Sequence, residues 1–196
     1  MAKETAAAGE RLVNPWRIMG WSFAAGLLLL PLVAMRFTDE VQWTAFDFAF
    51  AATIIGGVGM VFELAVRRSR DHAYRAGVGI ALAAAFLLVW INGAVGIIGD
   101  EDNPLNLLYG VVLLVALAGA IGAGFRSPGM ARAMLAAAAA SLLVGVIAVI
   151  VGSDDPPGRI GQVLVNGFFV MLFAGSGLLF RAAARSDDAR DALMRS

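Results

Sequence analysis

The sequence predicts an all-α membrane protein: six transmembrane helices arranged as an up-down bundle of three hairpins, with both termini in the cytoplasm. Three observations carry this. The 196 residues are 60% apolar with a mean hydropathy of +0.79, more apolar surface than one soluble core can bury. Six windows each approach the roughly 20 apolar residues that cross a bilayer. Finally, the charges are sorted between alternating loops, although the formal net charge is zero.

The first window, at 16–35, follows a polar start, 1–15, and is too long for the apolar segment of a signal peptide. It is read as a retained span. The others fall at 43–66, 74–98, 104–125, 130–151 and 160–180. Connections of a few residues make neighbouring helices antiparallel. No linker divides the chain, so residues 16–180 form one transmembrane domain. The arginine-rich tail, 181–196, is read as a cytoplasmic helix meeting water or anionic lipid.

One set of alternating loops and ends carries Lys3, Arg11, Arg17, Arg67, Arg68, Arg70, Arg75, Arg126, Arg132, Arg181, Arg185, Arg190 and Arg195, thirteen of the fifteen basic residues. Only Arg36 and Arg159 lie on the other side. Basic loops stay cytoplasmic, which places both termini inside. The opposite loops hold Asp39, Glu40, Asp100, Glu101, Asp102, Asp154 and Asp155. Acids then sit at the N-termini of helices 2, 4 and 6 and arginines at their C-termini, satisfying the helix dipole and the positive-inside rule together.

The turn Asp100-Glu101-Asp102-Asn103-Pro104 concentrates oxygen ligands. Calcium or magnesium could use them, so Asp100, Glu101 and Asp102, with Asn103, are candidate ligands for a small cation. A second reading fits the same residues: Asn103 as N-cap, Pro104 at the first helical position, and acids at the positive end of the dipole. Two carboxylates fall inside the second window. Asp47 has no evident local partner and is a candidate deeper ligand together with Asn92 of the third window. Glu63 precedes Arg67 by four residues, the spacing of a helical ion pair. Asn166 and Gln162 are the other strong polar groups in the spans, where amides hydrogen-bond across helices. Gly56, Gly57 and Gly59, Gly93 and Gly96, and the pairs Ala118 with Gly122 and Ala120 with Gly124 read as close-packing seams, within or between protomers.

Several function classes are excluded or disfavoured by composition. There is no cysteine, hence no disulfide and no thiolate metal site. His72 is the single histidine, which removes paired-histidine haem or metal ligation. No phosphate-binding or dinucleotide glycine pattern is present, and Gly175-Ser176-Gly177 lacks the spacing of a hydrolase elbow. The chain is therefore expected to be neither an enzyme nor a nucleic-acid binder, and to need no cofactor.

The segments Phe37-Thr38-Asp39-Glu40-Val41 with Trp43 and Phe46-Asp47-Phe48, Phe86 to Asn92, Ala94-Val95-Gly96-Ile97-Ile98-Gly99-Asp100-Glu101-Asp102-Asn103-Pro104 and Gly129-Met130-Ala131-Arg132 resemble a family of small, uncharacterised bacterial inner-membrane proteins. The resemblance covers about helices 1 to 5. It implies a multi-pass protein of the bacterial inner membrane and brings no activity with it. Two functions stay open: passage or sensing of a small ion through the acidic outer face, and a noncatalytic scaffold or accessory subunit docking another membrane protein or a second copy.

Overall fold

A computed structural model describes residues 15–99, 102–151 and 158–195. Six α-helices run in chain order: α1 Pro15–Ala34, α2 Ala45–Arg68, α3 His72–Ala94, α4 Leu108–Gly122, α5 Ser127–Val151 and α6 Gly158–Arg195. One turn of 3₁₀ helix, Pro104–Leu107, leads into α4. No strand occurs among the described residues. Among the described residues, five helical segments are long and apolar enough to cross a membrane: Ala45–Arg67, His72–Ala94, Pro104–Gly122, Ser127–Val151 and Gly158–Arg195. The apolar run in α1, Ile18–Ala34, is shorter.

The chain forms two compact units, Met1–Val61 and Phe62–Ser196. In the first, α1 carries Pro31, whose missing N–H removes one bond of the helical ladder. Pro31 is the one buried residue among the described side chains of α1. Trp21 of α1 lies against Gly59 of α2, where an added methyl would come 3.0 Å from the indole.

The second unit is a four-helix bundle. Helix α6 packs against both α3 and α5, α5 also packs against α4, while α3 and α4 touch only sparingly. Its core is built from Leu88, Tyr109, Val112, Phe169, Phe173 and Phe180. In lipid there is little hydrophobic drive between helices, so close contact depends on small residues. A methyl added at Gly119 would sit 2.6 Å from Ala133 Cβ, at Gly145 2.9 Å from Asn166 Cβ, and at Gly177 2.9 Å from Leu135 Cγ. These three contacts fix α4 against α5 and α5 against α6.

The helix ends are closed by specific groups. At the α2–α3 corner the Arg75 guanidinium donates to the carbonyls of Val66 (2.9 Å) and Ser69 (2.8 Å), and Asp71 caps α3 by accepting from the Tyr74 N–H at 2.9 Å. Helix α4 ends through Gly124 and Phe125, both at positive φ (54° and 57°). Phe125 is held there by its N–H bond to the Ala120 carbonyl (3.2 Å) and by the Tyr74 hydroxyl, which donates to the Phe125 carbonyl at 2.8 Å.

One boundary differs from the sequence expectation, and one extension follows it. Helix α3 stops at Ala94, four residues before the expected end, because the backbone turns at Gly96 (φ 71°) and a side chain further on captures the next amides. The tail is helical, as the sequence reading expects: α6 continues through it to Arg195, as 38 continuous residues. The Ser127 hydroxyl donates to the Asp187 carboxylate at 2.8 Å, tying that extension to the start of α5.

Candidate functional site

The buried amide side chains of the bundle gather toward one end. Residues 96–99 are buried yet not helical, and buried backbone amides need partners. Asn106 supplies them. Its Oδ1 accepts from the N–H groups of Ile97 (3.1 Å) and Ile98 (2.9 Å), and its Nδ2 points at the Ile98 carbonyl (3.4 Å). The Asn106 carbonyl in turn accepts from Asn92 Nδ2 at 2.9 Å. Asn106 is 5% exposed, so one buried amide side chain stands in for the next turn of helix. Asn103 Oδ1 accepts from the Leu105 N–H at 3.0 Å and caps the 3₁₀ turn, with Pro104 just inside it.

One turn further along, the Tyr109 hydroxyl donates to Asn166 Oδ1 (3.1 Å), and Asn166 Nδ2 donates to the Gln162 carbonyl (2.8 Å). Asn166 also forms part of the floor of an apolar groove of about 320 Å³ between α5 and α6, together with Gly145 and Gly167. Deeper in the bundle the Ser176 hydroxyl donates to the Gly77 carbonyl at 2.8 Å, joining α6 to α3. All these groups are neutral.

The candidate ion ligands divide between the two units and the residues that are not described. Asp100 and Glu101 lie outside the described residues, as do Asp154 and Asp155 of the last acidic turn. Asp102 is exposed. Among the described residues, no group of three or more histidine or carboxylate side chains is placed to hold a metal ion. Asn92 is engaged with Asn106, as given above. Asp47 does have a local partner: its carboxylate accepts from the Thr44 N–H (2.7 Å) and Thr44 hydroxyl (2.8 Å), while its own N–H faces the Thr44 oxygen at 3.4 Å. This is a capping box at the start of α2. Asp47 belongs to the first unit and Asn92, Asp102 and Asn103 to the second.

Glu63 and Arg67 form the expected ion pair across one turn of α2. Of the glycines marked in the sequence, Gly59 meets Trp21, whereas Gly56, Gly57, Gly93 and Gly122 have open space where a Cβ would stand. Gly96 and Gly124 make turns, at φ 71° and 54°. Within the chain, close approach falls on Gly119, Gly145 and Gly177 instead. Asn106 was the site residue that sequence reasoning passed over. Two residues beyond Pro104, it looks like a polar helix start; the signal was an amide set inside the apolar run Leu105, Leu107 and Leu108.

Fold and site together define a helical chain with several helices able to cross a membrane and a polar interior made of amides and hydroxyls. The chain matches no family model, no curated protein and no solved structure.

Proposed function

We propose that this chain is a six-span protein of the bacterial inner membrane, with both termini in the cytoplasm, and that it serves as a noncatalytic subunit docking another membrane protein or a second copy through α1 and α2. The sixth span is α1, with 20 residues and one proline. Orientation rests on the thirteen basic residues of one loop set.

One observation supports docking above the others. Gly56 and Gly57 sit adjacent in the middle of α2 with nothing within 4 Å of a Cβ at either position. Glycine inside a helix costs about 1 kcal/mol relative to alanine, and in a membrane helix that cost is offset where another backbone comes close. The bundle uses Gly119, Gly145 and Gly177 in that way; the glycine pair of α2 is left uncovered among the described residues.

The absence of cysteine makes the test clean. Gly57→Cys and, as a lipid-facing control, Leu114→Cys (63% exposed on α4) would be cross-linked in native membranes. A discrete adduct from position 57 alone is the expected result. Equal behaviour of the two positions, with a monomer by sizing, would remove the docking reading. Impermeant thiol labelling of Asp39→Cys but not Arg190→Cys checks the orientation.

A further inference from the structure

Gln162 is fully buried in the bundle, 0% exposed, and neither its Oε1 nor its Nε2 has a hydrogen-bond partner among the described residues. Asn92 Oδ1 is likewise buried and unpartnered. Orphaned amide atoms inside a protein cost free energy, more so in a low-dielectric interior, and native structures satisfy nearly all of them.

Helix register assigns these orphans to one level of the bundle. The facing stripes of α3 and α6 pair antiparallel. Tyr74 and Gly77 meet the Phe180 ring, and Ser176 bonds the Gly77 carbonyl. Following that register along the buried positions pairs Leu88 with Asn166 and brings Asn92 opposite Gln162. Helix α4 gives the same level independently. Tyr109 bonds Asn166, and α4 runs parallel to α6, so Asn106, three residues before Tyr109, stands beside the turn that carries Gln162. Asn106 is the group to which Asn92 is bonded. The buried segment 96–99 bonds to this level through Asn106.

We propose that this amide layer, Gln162 with Asn92 beneath the 96–99 segment, is a binding site for a small uncharged hydrogen-bonding molecule. The donor set selects the class. Two amide oxygens accept and one amide nitrogen donates, which suits a guest that is both donor and acceptor. An NH₂ group directed into the site repels a bare cation, and no carboxylate of the described residues shares the level. Water satisfies these requirements, and so does a small solute of the same chemistry; buried sites with two to four polar partners hold such molecules. The inference stands apart from the docking reading, since it concerns α3, α4 and α6 rather than α1 and α2.

The test uses the full chain in lipid nanodiscs with ¹⁵N in its glutamine side chains. There are two glutamines, Gln42 and Gln162, and Gln42→Glu assigns the spectrum. The expected result is magnetisation transfer from a long-lived bound water to the Gln162 amide, or a saturable shift of that amide with acetamide or formamide. Transfer alone identifies solvent as the guest; a saturable shift identifies a solute. In Asn92→Thr the transfer or shift is expected to lose most of its strength, whereas an unchanged Gln162 signal in that variant would overturn the two-helix site. A saturable shift with potassium or sodium chloride would overturn the uncharged class. No transfer and no shift in the unmodified protein would overturn the proposal outright.

Discussion

Helices α1 and α5 are both apolar and of similar length, 20 and 25 residues, yet α1 buries Pro31 alone among its described side chains while α5 buries eleven residues. The difference is size rather than hydropathy. Helix α5 presents Ala131, Ala133, Ala137, Ala138, Gly145 and Ala148 to its neighbours, and small side chains let two backbones approach. Helix α1 presents Leu27, Leu29, Leu30 and Leu32, each at least 36% exposed. Lipid solvates such side chains as well as a protein core does. Apolarity therefore tells where a chain can enter a membrane; small-residue content tells where it holds itself together.

The sharpest way to break the bundle is at its amide latch rather than at an apolar contact. Asn106→Leu leaves the buried N–H groups of Ile97 and Ile98 without an acceptor, and at the usual cost of an unmet buried hydrogen bond this removes roughly 2–5 kcal/mol of stability. Asn106→Asp keeps the acceptor and retains part of it. Thermal unfolding in detergent distinguishes the two. Next comes the contrast between filled and open glycines. Gly145→Leu drives a side chain into Asn166 and costs about 1–3 kcal/mol, whereas Gly93→Leu, at an open position, shifts stability little in either direction. Equal losses at both would sever the link between small residues and packing drawn from α5. The smallest effects belong to α2. Thr44→Ala dismantles the capping box at a cost of about 1 kcal/mol. Glu63→Gln, breaking an ion pair whose arginine is 65% exposed, costs at most about 0.5 kcal/mol and loses even that as salt rises.

Much of this architecture was legible in the sequence. Runs of apolar residues give α2 to α5, and the start of α6, within about four residues of their ends, because a helix crossing lipid must satisfy its own backbone and so must be long and continuous. Two features were not legible. The end of α3 at Ala94 depends on Asn106, twelve residues later, taking over two amides; no local pattern near Ala94 announces a partner that distant. Which seams close within the chain was hidden for a related reason: glycine spacing marks where close approach is allowed, while the facing residue decides where it happens. Gly122 and Gly119 are both on α4, and only Gly119 meets an alanine on α5. Asp47 illustrates the converse. Its partner Thr44 lies three residues away, and the capping spacing was present in the sequence beneath the stronger signal of an acid in an apolar window.

Helix α6 runs without a proline from Gly158 to Arg195, and its apolar stretch, 160–180, measures about 31 Å at helical rise. That length matches a hydrocarbon layer of about 30 Å. Because α6 is packed along α3 and α5 and tethered again at Asp187, bending it would break contacts with its neighbours. A bilayer of another thickness is therefore met by tilting the whole bundle, or by deforming the lipid around it. The angle of segment 181–195 to the membrane plane then becomes a gauge of the thickness of the lipid around the bundle.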